Sequence, residues 1–177
     1  SYFLVEEVPP RLAEYLSSSV QFIVLLRDPV ERAISAYWHL IKRREEHRSL
    51  EEVFSNRPGS PEKILRAENQ ALDRALERER INPTNYRTQY DDFLFPFRYV
   101  YNSCYTVHVE RFLENIDRSR ILFLVTERLR DEPEDVGREI SNFLPTNATL
   151  DADDLRNQQN RTIVPRHGSI IEGLKNT

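Results

Sequence analysis

Two short apolar runs stand out against the largely polar pattern of the chain. The first comprises Val20 and residues 22–26, and the second comprises residues 121–125. Both are rich in β-branched and aliphatic side chains and lack the strict alternation of a half-exposed strand. The first run is nearly uninterrupted, as expected for a parallel strand that is buried on both faces. The pattern therefore predicts two strands of a parallel sheet.

Longer segments around these runs carry apolar residues at steps of three and four positions. This spacing predicts amphipathic helices, whose apolar faces pack on a sheet or on other helices. Strands that alternate with such helices indicate an α/β fold. The charged run 42–47 is expected to lie in solvent. The predicted helices span residues 9–16, 29–44, 61–80 and 133–144.

The junction between the first strand and its helix has the residues of an anion site. Arg27 follows the strand, Asp28 can cap the helix, and Pro29 suits the first helical position. Ser35 follows about 10 Å further along the helix axis, a span that an extended arginine can partly cover. Arg27 and Ser35 can therefore clamp one phosphate. On spacing alone, an arginine bonded to strand-end carbonyls and a serine packed in the helix fit equally well.

Composition sets broader limits on the fold and on its partners. The chain has 177 residues, of which 39% are hydrophobic and 31% are charged, and this content suits one domain with a packed core. A net charge of −4 argues against a nucleic-acid-binding surface. The apolar runs fall short of the roughly 20 residues that span a bilayer, so no membrane segment is expected.

Cysteine and histidine usage predicts neither a disulfide within the chain nor a metal site. Cys104 is the single cysteine, which favours a reducing compartment. We expect a cytoplasmic protein, or one of the Golgi lumen if an anchor precedes this sequence. The four histidines lack the spacing of metal ligands, so no metal is predicted.

Residues 27–37, RDPVERAISAY, resemble the 3′-phosphate-binding segment of sulfotransferases that use 3′-phosphoadenosine 5′-phosphosulfate (PAPS). In that family a strand leads through arginine and an Asn/Asp-Pro turn into a helix that bears serine eight residues after the arginine. Residues 1–16 and 120–144 resemble the family's segments before and after this one. The segments ERAISAYWH and TERL are more similar to the carbohydrate-type enzymes, such as heparan sulfate sulfotransferases, than to the enzymes that act on small phenols.

The resemblance implies a P-loop-NTPase-like three-layer fold, in which helices flank a parallel sheet. The family's fold opens with a Gly-rich loop that holds the 5′-phosphosulfate, and none of the four glycines here belongs to such a loop. We therefore expect residues 1–177 to be part of a single sulfotransferase domain, incomplete at the N-terminus, with the catalytic base upstream of Ser1. The polar tail 146–177 is predicted to be irregular.

The resemblance also implies an activity, the transfer of a sulfuryl group from PAPS to a hydroxyl or amine. Arg27 and Ser35 would hold the 3′-phosphate of this donor, and no metal would take part. The acceptor is expected to be a carbohydrate, with a small molecule as the alternative. Glu127, at the end of the second strand, is interpreted as a structural hydrogen-bonding group rather than a base.

Two further features match the family in position. Residues 98–115 resemble a helix whose start helps to line the acceptor cleft, and the aromatic side chains of residues 86–105 could stack on sugar rings there. Aromatic residues at helical spacing are usually buried, so the interpretation that these rings belong to the core is favoured. Arg166, His167 and Gly168 resemble a basic loop that closes over the nucleotide.

Two other classes of protein stay open from the sequence. A P-loop nucleotide phosphotransferase has a related architecture and would need a complete phosphate loop and a magnesium-binding acid. A non-catalytic helical interaction module would explain the charged helices and the aromatic segment without any nucleotide. Binding of adenosine 3′,5′-bisphosphate distinguishes both classes from a sulfotransferase.

Overall fold

A computed structural model describes residues 2–55, 59–78 and 97–145, together with Asp153 and Leu155. The chain divides into two compact units. We call the one that contains Pro29–Val109 and Ser1–Glu6 the helical unit, and the one that contains Glu7–Asp28 and Glu110–Arg161 the strand unit. Across the described ranges, no helix is both long and apolar enough to cross a membrane. The tail predicted over 146–177 lies outside these ranges, apart from Asp153 and Leu155.

The elements largely follow the predicted pattern. Strands β1 (Phe22–Leu26) and β2 (Ile121–Val125) have the predicted bounds. Within the described residues the α-helices are α1 (Val8–Tyr15), α2 (Pro29–Lys42), α3 (Leu50–Phe54), α4 (Pro61–Arg78), α5 (Tyr105–Asn115), α6 (Thr126–Asp131) and α7 (Pro133–Phe143).

Strands β1 and β2 form a parallel pair in the strand unit. Their register runs from Phe22 opposite Ile121 to Leu26 opposite Val125. The two carboxyl ends therefore lie at the same edge of the sheet, where α/β proteins bind ligands. This pairing confirms the predicted parallel sheet.

The expectation that β1 is buried on both faces is wrong. Ile23 and Leu25 are 40% and 55% exposed, whereas the alternate residues of the strand are half-buried. The apolar cluster of this unit forms over β2, where Leu122 and Leu124 pack against α6 and α7. None of the described members of this cluster belongs to β1, and the face of that strand with Ile23 and Leu25 is exposed.

Long-range hydrogen bonds hold the segments that precede β1 and β2. The Gln21 side-chain amide donates to the Phe143 carbonyl at the end of α7, with an N–O distance of 2.6 Å. The Arg120 guanidinium donates to the carbonyls of Val20 and Ser17, each at 2.9 Å. These bonds tie the segment before β1 to the segments that flank β2.

The core of the helical unit is built around two aromatic rings. Tyr37 of α2 and Tyr99 pack edge to face, with ring centroids 5.9 Å apart, and Tyr99 is fully buried. Side chains from α2, α3 and α4 surround them: Ala33, Ile34, Leu40, Leu50, Val53, Phe54, Leu72 and Leu76. Phe97 lies in the same cluster, so for Phe97 and Tyr99 the core interpretation of the aromatic segment is confirmed.

The expectation that the charged run 42–47 is solvated holds for Lys42, Arg43, Arg44 and His47, which are exposed, but it is wrong for Glu46, which is buried in an ion pair. The Glu46 carboxylate accepts from the Arg48 guanidinium at 2.9 and 2.6 Å and from the Tyr99 hydroxyl at 2.7 Å. The Tyr37 hydroxyl donates to the Arg48 carbonyl at 2.9 Å. Burial acts to raise the pKa of Glu46, but the bonds from Arg48 and Tyr99 outweigh it and hold the pKa below its usual value.

The end of α2 explains why this part of the run turns inward. Arg44 adopts a left-handed conformation with φ of 60°. The N–H of Glu45 donates to the Leu40 carbonyl and that of Arg44 to the Ile41 carbonyl, each at 3.0 Å. This is the hydrogen-bond pattern of a Schellman motif, which ends a helix and reverses the chain. The chain then returns towards the core at Glu46.

Two local differences from the predicted helices stand out. Helix α5 begins at Tyr105 rather than at residue 98, and a 3₁₀ turn, Tyr101–Ser103, precedes it. Cys104 separates the two because its ψ of 73° is not helical. Helix α3 was not predicted, and its capping box is formed by Ser49 and Glu52.

Candidate functional site

The carboxyl ends of β1 and β2 meet at Glu127. One carboxylate oxygen accepts the backbone N–H of Asp28 at 3.1 Å, and the other accepts the Thr126 hydroxyl at 3.3 Å. The bond to Asp28 is possible because the parallel register brings the two strand ends side by side. Glu127 therefore connects the turn after β1 to the start of α6, which agrees with the structural role predicted for it.

Arg27 stands at the carboxyl end of β1, as predicted, and its side chain is half-buried. The next residue, Asp28, is the one held by Glu127, so the backbone beside Arg27 is fixed. Pro29 then begins α2. A cationic side chain after a parallel strand and before a helix suits an anionic ligand.

Ser35 lies two turns into α2 and is also half-buried. The structure thus places Arg27 and Ser35 on the elements predicted for them. Arg27 belongs to the strand unit and Ser35 to the helical unit. Their joint action on one phosphate stays a prediction.

Arg32 anchors the first turns of α2, and the sequence analysis missed it. Its guanidinium donates to the Tyr99 carbonyl at 3.1 Å and to the Ser103 hydroxyl at 3.2 Å. Burial lowers the pKa of Arg32, although Tyr105 and Glu68 act in the opposite direction. An arginine remains charged under such a shift, so Arg32 acts as a fixed cationic donor.

Glu68 of α4 also holds this turn, through backbone N–H groups. Its carboxylate is buried and accepts the consecutive backbone N–H groups of Val100 and Tyr101, at 2.8 and 3.0 Å. The burial of Glu68 could have been predicted from the sequence, because Glu68 lies four positions from both Ile64 and Leu72 on the apolar stripe of α4. A carboxylate on such a stripe needs buried donors. Arg32 and Glu68 together fix residues 99–103.

Cys104 has the environment of a structural thiol. Its sulfur donates to the Val100 carbonyl at 3.4 Å, and burial, with a contribution from Glu68, raises the pKa of the thiol. A raised pKa disfavours the reactive thiolate. In the part of the chain that the structure describes, no cluster of three or more His, Cys, Asp or Glu side chains could hold a metal ion.

Several sequence-predicted features lie outside the described residues. They include the basic segment 166–168 and the aromatic side chains between residues 86 and 95. Of the aromatic segment, Tyr101 and Tyr105 are half-buried within the helical unit, and Tyr101 contacts the buried His108 ring at 5.6 Å.

Comparison with known sequences identifies a match over most of the chain. The profile of the family described as "Sulfotransferase domain" matches residues 8–166. Heparan sulfate glucosamine 3-O-sulfotransferases 3B1 and 3A1 of Mus musculus are each 27% identical to the chain over 145 residues. These alignments cover 81% of this chain but only 29% of each mouse protein.

A solved structure gives an independent comparison of the fold. The crystal structure of a sulfotransferase from Alicyclobacillus acidocaldarius aligns with a TM-score of 0.57 and 22% sequence identity. The alignment covers 88% of this chain and 54% of that one. The likeness shows a shared P-loop-like α/β fold, and the parallel pairing of β1 and β2 agrees with it.

Proposed function

Because this chain belongs to the sulfotransferase domain family, we propose that it takes part in sulfuryl transfer from PAPS to a carbohydrate. The observation that carries the proposal is the junction between β1 and α2, with Arg27 at the strand end and Ser35 in the helix. These two residues bind the 3′-phosphate of the donor. The phosphotransferase alternative finds no support in the family match.

The chemistry of the two side chains fits a phosphate. The Arg27 guanidinium presents a planar set of donors that matches two phosphate oxygens, and the Ser35 hydroxyl offers a further donor. Both side chains are half-buried, so they keep some exposed surface for a ligand while their backbones are fixed. Glu127 fixes the turn that follows Arg27 by accepting the N–H of Asp28.

In the transfer itself, Arg27 and Ser35 act by binding and orientation. The acceptor oxygen or nitrogen forms a bond to sulfur while the bond between sulfur and the phosphate oxygen breaks, and a base takes the acceptor proton. Adenosine 3′,5′-bisphosphate leaves. Fixing the nucleotide aligns the phosphosulfate for this displacement, so loss of either residue chiefly weakens donor affinity.

A carbohydrate acceptor is favoured by the names of the mouse relatives, which are enzymes of heparan sulfate. The chain spans less than a third of those proteins, so its own acceptor is inferred. Either a sugar hydroxyl or a sugar amine can be the nucleophile that attacks the sulfur atom.

Calorimetric titration of the chain with adenosine 3′,5′-bisphosphate, run beside ATP with magnesium, tests the proposed function. We expect saturable binding of the bisphosphate and at least about tenfold weaker binding of ATP, because ATP lacks the 3′-phosphate. Equal or tighter binding of ATP would support a phosphotransferase instead. No binding of either nucleotide by the longest available form of the protein would support the interaction module.

A further inference from the structure

A cleft of about 400 Å³ lies beside the first half of α4, within the helical unit. Its volume falls in the range of small-ligand sites. Ser35 does not line it, so the cleft differs from the site proposed for the donor phosphate. The lining residues that the argument uses are Glu62, Leu65, Arg66, Asn69, Tyr101 and Val107.

The cleft has one acidic and one basic side chain that can each meet a charge on a ligand. Glu62 and Arg66 are exposed and lie one helical turn apart on α4. At the same spacing, Arg128 and Glu132 form an ion pair with an N–O distance of 3.0 Å. Among the ion pairs of the described residues, however, none includes Glu62 or Arg66. A ligand with a single charge is attracted by one of them and repelled by the other, whereas a ligand with both charges can pair with both.

The rest of the cleft suits an apolar side chain. Leu65 and Val107 are half-buried and contribute aliphatic carbon to the lining. Tyr101 adds an aromatic ring, against which a ligand ring can pack edge to face. The Asn69 amide oxygen accepts from the Arg98 guanidinium at 3.5 Å, and the amide N–H groups of Asn69 can donate to a ligand carboxylate.

The aromatic side of the cleft is held in place by buried groups. The Tyr101 N–H donates to the buried Glu68 carboxylate at 3.0 Å. The Tyr101 ring packs edge to face on the buried His108 ring, with centroids 5.6 Å apart. Because the ring is fixed before a ligand arrives, little conformational entropy is lost on binding.

We propose that this cleft binds a free amino acid with an apolar side chain, in its zwitterionic form. The ammonium group pairs with Glu62, the carboxylate pairs with Arg66, and the side chain packs on Leu65 and Tyr101. Both charged pairs lie at exposed positions, so each contributes modestly to the affinity. The site is independent of the proposed sulfuryl transfer, since no residue assigned to the donor takes part in it.

Titration of the isotope-labelled chain with L-phenylalanine, followed by two-dimensional NMR, tests this assignment. The spectra report both the affinity and the residues that the ligand affects, so the largest shifts should fall within residues 62–70 and 101–107. Phenylalaninamide lacks the carboxylate, and N-acetylphenylalanine lacks the ammonium group. Each should bind at least about threefold more weakly than phenylalanine, because one exposed attraction is lost.

Two substitutions on α4 assign each charge to its partner. Glu62→Gln should weaken phenylalanine binding about threefold to fivefold without weakening that of N-acetylphenylalanine. Arg66→Gln should weaken phenylalanine binding by a similar factor without weakening that of phenylalaninamide. Glu77→Gln and Lys63→Gln are the matched controls, since they remove the same charges from exposed positions of α4 outside the cleft. We expect them to change the affinity less than about 1.5-fold, as for screened charges.

Three results would overturn the proposal. The first is the absence of saturable shifts with phenylalanine, and the second is a set of shifts that falls away from the cleft. The third is equal binding of phenylalanine and its two blocked derivatives, because the cleft would then take an aromatic ring regardless of its charges.

Discussion

At the residue scale, buried charge fixes two backbone segments of the helical unit. Glu46, Arg48 and Glu68 are nearly inaccessible to solvent, and each is engaged by hydrogen bonds. A buried charge that keeps its partners is tolerated, whereas one that loses them destabilises the fold strongly. These side chains therefore act through the segments that they hold, 46–48 and 99–103.

The Glu46 ion pair gives a direct test at this scale. Arg48→Met leaves the Glu46 carboxylate buried without its cation, so the free energy of unfolding should fall by about 3 kcal/mol. Arg43→Met, which removes the exposed pair with Glu45, should change it by less than about 1 kcal/mol. Urea denaturation measures both, and equal effects would contradict the assigned burial.

Substitutions of Glu127 test whether it has a structural role or acts as the catalytic base. Glu127→Ala leaves the Asp28 N–H without its acceptor and should lower the free energy of unfolding by about 1 to 3 kcal/mol. Glu127→Gln keeps an acceptor oxygen and should preserve most of that stability. In a sulfuryl-transfer assay, we expect kcat of the Gln variant to fall less than about tenfold, whereas loss of a general base costs about 10² to 10⁴. A fall in the larger range would make Glu127 the base.

At the element scale, the sequence pattern predicts the regular elements well and the turns poorly. Strands β1 and β2 and helix α7 follow from apolar runs and periodicity that are local in the chain. The turn before α5 does not, because Arg32 and Glu68 hold it from distant segments. Helix α3 is a different case, since Ser49 and Glu52 form a capping-box pattern that is visible in the sequence.

The α3 cap predicts a specific dependence of stability on pH. The pKa of Glu52 is lowered to about 2 by the Ser49 N–H, with further contributions from Arg78 and the Ser49 hydroxyl. A carboxyl whose pKa falls on folding stabilises the protein above its unfolded pKa, about 4.3. That stabilisation should be lost as the pH falls from about 4.3 through about 2.

Denaturation of the unaltered chain and of Glu52→Gln between pH 5 and pH 2 measures this contribution. The difference in free energy of unfolding between the two proteins should shrink as the pH falls, because glutamine does not titrate. Glu51→Gln is a control, since Glu51 is a neighbouring acid of the same helix outside the capping box. A difference that stays constant with pH would exclude the assigned role of Glu52.

At the scale of the whole molecule, more of the fold than of the site could be predicted from the sequence. The α/β class follows from the pattern of apolar positions along the chain. The P-loop-like fold was implied by the resemblance to sulfotransferases, and the comparison with a solved sulfotransferase structure supports it. Arg27 and Ser35 could be placed because strand, turn and helix are consecutive in the chain. Arg32 could not, because its partners Tyr99 and Ser103 lie 67 and 71 residues further along the chain.

The central claim is that Arg27 binds the 3′-phosphate of the donor nucleotide. Titrations with adenosine 3′,5′-bisphosphate and adenosine 5′-monophosphate, which lacks that phosphate, isolate this interaction. The unaltered chain and Arg11→Ala, a control at an exposed position of α1, should prefer the bisphosphate by about tenfold or more. Arg27→Ala should lose most of this preference while its thermal unfolding stays unchanged. A preference that survives in Arg27→Ala would contradict the account.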